Sequence, residues 1–382
     1  MAASGVDERG VMSRPLVDVR LESLSTNTGP PPYLSGVSLH VRYGEIFTVL
    51  GPPHSGKTAL LRAVAGFLPQ SRGRVLVDGE DIGRLPARAR GIGYVFHEGA
   101  LWPHLTVEQH VAFGLEQLRI ARDEIERRVQ VVTHRLGLAA VRAARPDALT
   151  LDGRRRLALA RALAVEPRVL LLDEPLAHLD PLTRKTLRLE LARLHRDLAV
   201  TTICATRDAA DAMALSDRIA VVADGRVLQV GDPETLYRRP MSRVVAEALG
   251  PANFLPVRAV EIRELGVVVE TARGDRVPVP GIGAFRAGSR GLLVLRPETL
   301  SITEAAMARG PGIPGQVSLR VFEGARYLYE IDIGAGDTIR VDLPAGEMSV
   351  FRLGDRVRVE ISSDTVVLLP YEDTTPAPSP SV

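Results

Sequence analysis

The spacing of apolar and polar positions changes several times along the chain, and each change marks an element. Residues 16 to 50 favour period two, through Leu16-Val17-Asp18-Val19-Arg20-Leu21 and Val37-Ser38-Leu39-His40-Val41, and end in the unbroken apolar run Ile46-Phe47-Thr48-Val49-Leu50. This predicts three strands, the last of them buried. Helical spacing follows from Ala59 to Phe67, and then strands at Arg74-Val75-Leu76-Val77, before the turn Asp78-Gly79, and at Gly91 to Phe96. Thr106-Val107-Glu108-Gln109 predicts a helix start, with Thr106 as N-cap and Gln109 closing a capping box. In the next helix Ile125, Val129, Val132 and Leu136 share a face that Gly137 ends. Residues from about 98 to 165 are therefore expected to be a helical insert between sheet strands. The sheet resumes at Val169-Leu170-Leu171-Leu172-Asp173-Glu174, whose continuous apolarity suits a parallel strand covered by helices on both faces.

Further on, Asp224-Gly225 separates two β-rich runs and is the strongest hairpin signal in the chain. Two short helices, at 231–237 and 243–249, are expected to close the first domain. After Gly250-Pro251 short strands recur between glycine turns up to Leu369, which predicts a small barrel or sandwich. The expected organisation is a mobile leader at 1–15, an α/β domain at 16–250, a β-rich domain at 251–370 and a disordered tail at 371–382 rich in Pro, Ser and Thr.

Composition narrows the setting. The 382 residues carry 48 basic and 46 acidic side chains, so nothing global argues for nucleic acid as a partner. One cysteine, Cys204, excludes an intrachain disulfide and suits a reducing cytosol. No run approaches the ~18 apolar residues of a membrane span, so a membrane role is expected to come through partner chains.

The candidate chemistry begins at Gly51-Pro52-Pro53-His54-Ser55-Gly56-Lys57-Thr58, which fits the phosphate-loop pattern G-x-x-x-x-G-K-[ST] at every fixed position and lies between strand and helix. Its glycines let backbone N–H groups point at phosphate oxygens, and the helix that follows directs its positive end there. The loop reads as a nucleoside triphosphate site, where Lys57 is expected to reach the outer phosphates and the Thr58 hydroxyl to sit on Mg²⁺. The carboxylates closing the 169–174 run complement this loop: Asp173 is expected to hold Mg²⁺, and Glu174 to orient or deprotonate an attacking water.

With these motifs, Ile92 to Phe96 followed by Trp102-Pro103-His104-Leu105-Thr106-Val107, the run Leu157 to Leu163, and Leu170 to Asp180, the chain resembles the ATP-binding subunits of ABC transporters. The resemblance implies an α/β P-loop nucleotide-binding domain with a helical insert, followed by a small all-β, OB-like TOBE domain of which Leu295-Arg296-Pro297-Glu298 is the most recognisable segment. It also implies a head-to-tail dimer with ATP between one subunit's phosphate loop and the other's signature segment. Leu176 to Asp180 would be the D-loop. The segment from Glu98 to about Gly114 would dock transmembrane permease subunits, and through them a periplasmic or extracellular solute-binding protein.

The chain departs from the family pattern at four places. His97, a candidate catalytic and metal-site residue by its position, stands where a glutamine is expected, and an imidazole nitrogen suits Mg²⁺ poorly as a ligand. The signature, written Leu-Ser-Gly-Gly-Gln in the family, is Leu149-Thr150-Leu151-Asp152-Gly153. Asp152 either faces the partner's phosphate, at a cost of a few kcal/mol for like charges ~4 Å apart, or caps the helix while Arg154, Arg155 and Arg156 take the phosphate contact. Arg207 replaces the switch histidine; it can stabilise γ-phosphate charge but cannot act as a neutral imidazole. The adenine-stacking aromatic falls near Thr28, with Tyr33 offset from it. The expected function is the energy-coupling ATPase of an ABC importer at the cytoplasmic face of the membrane. The alternatives are a nucleotide-sensing subunit with little hydrolysis, or the impaired half of a heterodimer. A free-standing P-loop kinase or GTPase would have no use for the 157–163 helix or the D-loop.

Overall fold

The computed structural model of the chain describes residues 17–27, 33–280, 285–304, 312–334, 336–346, 350–362 and 365–371. The expected leader, the Thr28 position and nearly all of the expected tail lie outside them. Two compact units divide at Leu236/Tyr237.

In the first unit, β1 (Val19–Ser25), β2 (Val37–Val41), β4 (Arg72–Val77) and β5 (Glu80–Asp81) form an antiparallel sheet in the order β2-β1-β4-β5. The second sheet holds β3 (Ile46–Leu50), β6 (Ile92–Val95), β7 (Val169–Asp173), β8 (Thr201–Thr206), β9 (Arg218–Ala223) and β10 (Arg226–Gly231) in the order β10-β9-β3-β8-β7-β6. Its strands run parallel except the hairpin β9–β10. Period-two geometry divides the apolar runs between its two faces. Phe47, Val49, Val169, Leu171 and Ile203 pack toward α1 (Lys57–Ala65) and the antiparallel sheet. Leu170, Leu172 and Cys204 pack toward a helical layer of α2 (Val107–Gln117), α3 (Arg122–Arg135) and α4 (Leu151–Ala164), with α5 (Pro181–Leu198) beside it. Burying a Leu side chain on either face stabilises by about 1.5–3 kcal/mol.

The expected capping box is present: the Gln109 N–H donates to Thr106 Oγ1, and the Thr106 N–H to Gln109 Oε1 at 2.8 Å. Val129 on α3 and Leu136 just beyond its last residue are buried, and Ile125 and Val132 pack at the edge of the same core. Two short helices follow β8 and the hairpin, α6 (Ala209–Leu215) and α7 (Pro233–Arg238).

In the second unit, α8 (Arg243–Ala248) precedes two antiparallel sheets. One is ordered β13-β12-β11-β14-β20, from β11 (Asn253–Arg263), β12 (Gly266–Thr271), β13 (Arg276–Pro280), β14 (Arg290–Leu295) and β20 (Val367–Pro370). The other is ordered β15-β19-β16-β17-β18, from β15 (Leu300–Glu304), β16 (Gly312–Phe322), β17 (Arg326–Gly334), β18 (Asp337–Pro344) and β19 (Arg356–Ile361). Side chains of both sheets share one apolar core. The division falls ahead of the expected boundary at 250 because α8 packs with the β-rich unit: Ala246 clusters with Leu292, Val294 and Leu369. Buried Arg296 donates to the carbonyls of Ala246, Gly250 and Pro251 and lies 4.1 Å over the Tyr237 ring.

Candidate nucleotide site

β3 delivers the chain to Gly51, where an added Cβ would lie 2.2 Å from the Val222 carbonyl oxygen, so only glycine fits. Pro52, Pro53 and His54 are exposed and Ser55 is buried. Gly56 has φ 100°, a left-handed conformation that lets the loop enter α1 directly. No side chain caps that helix start and no acid stands in its first turn, so its N–H groups and positive dipole end are left for an anion. The Lys57 ammonium donates to the Gly51 and Pro52 carbonyls at 2.8 Å each, which closes the loop around it. Burial pulls its pKa below the ordinary lysine range, against the opposing pull of Glu174 and Asp173.

The hairpin turn between β9 and β10 supports this loop, a role its local sequence does not reveal. Gly225 donates its N–H to Ser55 O at 3.1 Å, and an added Cβ on it would meet the Tyr33 carbonyl oxygen. Exposed Tyr33 therefore belongs to the segment that packs on the turn holding Ser55.

At the end of β7 the buried Asp173 carboxylate is paired on both oxygens. Thr58 donates its hydroxyl to Oδ1 at 2.9 Å, and Tyr94 donates its hydroxyl to Oδ2 at 3.0 Å. No local sequence pattern marks Tyr94 as a site residue; the pairing of β6 with β7 brings it there. Burial, then the Asp173 charge, holds its hydroxyl protonated far above the usual tyrosine range. Glu174 has φ 50°, so the chain turns sharply as it leaves the strand. Its N–H donates to Ala205 O at 2.9 Å, and Thr206 at the end of β8 donates to its Oε2 at 3.4 Å. Arg207 follows Thr206, exposed and close enough to depress the Lys57 pKa further. Asp208 caps α6, and buried Asp211 accepts from Arg184 and Arg188, which ties α6 to the start of α5. The C-terminal ends of β3, β7 and β8 thus gather Lys57, Thr58, Asp173, Glu174 and Arg207.

The signature residues lie together at the start of α4, and here one expectation is corrected. Thr150, not Asp152, is the N-cap, accepting from the Gly153 N–H at 3.1 Å. The helix already begins at Leu151, which puts Asp152 inside its first turn, where it binds Arg156 at 2.8 Å. The neighbouring arginines are also engaged: Arg154 donates to Pro146 O at 2.7 Å, Arg156 reaches Glu190 at 2.6 Å, and buried Arg155 donates to the His97 and Ala177 carbonyls. The His97 ring faces His178, with Nε2 atoms 3.3 Å apart. A cleft of about 630 Å³ opens beside them, lined by Glu98, Leu101, Pro103 and Arg154 among others. Next to it Trp102 packs on His110 and Phe113 beneath the Arg161 guanidinium.

The site fits Mg²⁺ with ATP. Among the described residues no group of three or more His, Cys, Asp or Glu side chains is gathered as a metal cage. Magnesium bound with a nucleotide needs only one or two protein oxygens beside phosphates and water, and the Thr58–Asp173 pair supplies them. No helix among the described residues is long and apolar enough to cross a membrane.

Both units of the chain are similar to known families. A family model described as ABC transporter matches residues 34–177, and one described as TOBE domain matches residues 293–369. The spermidine/putrescine import ATP-binding protein PotA 1 of Pseudomonas aeruginosa is 36% identical over 89% of this chain and 92% of its own length. The protein of that function in Thermotoga maritima is 40% identical over 71% of this chain and 73% of its own. Among solved structures, cbiO1 of Clostridium perfringens, part of the ABC transporter complex cbiONQ, aligns with TM-score 0.54 and 30% identity over 58% of this chain and 90% of its own. A dimeric ATP-binding cassette in a post-hydrolysis state with ADP and Pi aligns with TM-score 0.51 and 26% identity over 56% of this chain and 98% of its own.

Proposed function

The chain belongs to the ATP-binding subunits of ABC importers, and from that premise we propose that it closes head to tail on a second ATP-binding subunit and hydrolyses Mg-ATP to drive polyamine uptake through transmembrane permease subunits. The observation that carries this reading is the convergence of Lys57, Thr58, Asp173 and Glu174 at the ends of parallel strands β3 and β7. The polyamine class is supported by the similarity to spermidine/putrescine import ATP-binding proteins. On this reading the subunit works at the cytoplasmic face of the membrane, and solute reaches the permease from a binding protein on the other side.

Each residue has a task. Lys57 exchanges its two backbone carbonyls for phosphate oxygens, which relieves the mismatch of an ammonium held among neutral acceptors. Backbone N–H groups of the loop beyond the two prolines, from His54 to Thr58, cradle the phosphates. Mg²⁺, held by Thr58 and Asp173, supplies positive charge against the phosphate oxygens. Glu174, steadied by the Thr206 hydroxyl, orients the attacking water and takes its proton. Arg207 stabilises the γ-phosphate charge with a guanidinium that stays ionised. The Thr150 hydroxyl and the Gly153 N–H meet the partner's nucleotide, with Asp152 neutralised by Arg156. The cleft beside His97 and Trp102 receives the permease.

ATP turnover by the purified chain, alongside nucleotide binding, tests the proposal. Turnover near ~1 s⁻¹ or above, within the usual enzyme range, and abolished by Glu174→Gln while binding persists, is expected. Binding without turnover in the unsubstituted chain would overturn it. The cargo is tested by uptake of labelled putrescine and spermidine in cells whose only copy carries Glu174→Gln; undiminished uptake would remove polyamines from the proposal.

A further inference from the structure

His97 follows β6 and His178 follows β7, so the segment leaving each strand carries an imidazole, a strong ligand for divalent metals. Their Nε2 atoms lie 3.3 Å apart, with ring centroids 5.3 Å apart and ring planes crossed at 81°. A tetrahedral ion with metal–nitrogen bonds of about 2.05 Å sets two imidazole nitrogens roughly 3.3 Å apart, the spacing already present. The pair is held in place by one group. Buried Arg155 donates to the carbonyl of His97 and, at 3.3 Å, to that of Ala177, so a single guanidinium fixes the backbone beside both imidazoles. His178 lies in a left-handed conformation, φ 63°, which is uncommon for a non-glycine residue. His97 is half-buried, His178 is exposed, and both line the open cleft, so an ion and its waters have access.

We propose that His97 and His178 form a two-imidazole site for a borderline divalent ion of the Zn²⁺, Co²⁺ or Ni²⁺ class, completed by water and distinct from the magnesium position at Thr58 and Asp173. Nitrogen ligands favour these ions over Mg²⁺ and Ca²⁺. An ion there bridges the segment leaving β6 to the segment leaving β7, and so clasps the chain immediately beyond Glu174. The site does not depend on the ATPase reading, because metal occupancy is measured without nucleotide.

Equilibrium dialysis of the full chain against Zn²⁺ in nucleotide-free buffer tests it. One equivalent per chain is expected, undisturbed by millimolar Mg²⁺. His178→Ala and His97→Gln should each weaken binding roughly tenfold or more, and His134→Ala, on the exposed face of α3, should leave it unchanged. Imidazole Cε1–H resonances of His97 and His178 should shift during Zn²⁺ titration of the unsubstituted chain, a readout that needs no variant to fold. Absence of binding, unchanged affinity in either variant, an equal loss in His134→Ala, or resonances that do not move would each overturn the proposal.

Discussion

Arg90→Met tests how the phosphate-loop helix is held at its far end. Arg90 is 5% exposed, and its guanidinium donates to four carbonyls: Ala63 and Val64 in the last turn of α1 at 3.0 and 2.7 Å, and Gly83 and Leu85 at 2.9 Å each. Bonds from a charged donor contribute about 1.5–3 kcal/mol each when considered singly. Four on one group are not independent. Burial also opposes the charge, drawing the Arg90 pKa below the ordinary arginine range, so removing it returns part of the loss. At a net of about 1 kcal/mol per bond, the methionine variant, which loses all four bonds and leaves the Ala63 carbonyl only the Gly66 N–H, should lose about 4 kcal/mol. Arg90→Lys keeps the charge, but a single ammonium cannot span acceptors on two segments, and about 2 kcal/mol should be lost. The assay is urea unfolding followed by fluorescence of Trp102, the chain's one tryptophan, which reports the first unit. A loss below about 1 kcal/mol in the methionine variant, or full stability in the lysine variant, would refute the idea that a forked donor holds this helix end.

Two further outcomes follow from the site. Tyr94→Phe keeps the ring contacts with Phe67 and Phe96 but removes the bond to Asp173, so the nucleotide-free chain should lose about 1.5–3 kcal/mol; an unchanged urea midpoint would count against a structural role for that bond. Because burial lowers the Lys57 pKa below its unfolded value, the unfolded chain binds more protons between the two values, and stability should rise with pH as it passes from the folded pKa toward 10.5. Urea midpoints from pH 7.5 to 10, measured on the unsubstituted chain and on Lys57→Met, should show that rise only in the former.

What the sequence made legible was local. The run 46–58 carries its own strand, turn and helix start; the Thr106–Gln109 box satisfies helix donors three residues apart; Asp224-Gly225 makes a hairpin from two adjacent residues. Pairings between distant segments were hidden. Tyr94 reaches Asp173 across 79 positions, and Gly225 reaches Ser55 because β9 lies beside β3, which no local pattern encodes. Aromatic alternation at 94 and 96 marked a strand without saying that one hydroxyl would meet a carboxylate. The start of α4 falls two residues ahead of the Asp152 cap expected from sequence because Thr150 is also a good cap residue, and only the register of the first turn separates them. Likewise the α8 pattern shows an apolar face but not which core receives it.

Cys204 lies in β8 between the strands that end at the phosphate loop and at Asp173, 2% exposed, and burial pushes its thiol well above the usual cysteine range. A thiol that is neither reachable nor ionised does not alkylate from the folded state. Labelling must then wait for the middle of the sheet to open, and with one cysteine in the chain each label records one such event. When reclosing outpaces the reagent, the labelling rate is the free-thiol rate multiplied by the opening equilibrium constant, so slowing by every tenfold corresponds to about 1.4 kcal/mol of local stability. The same mass measurement made with and without nucleotide reads how strongly ligand at the strand ends holds the strands themselves together.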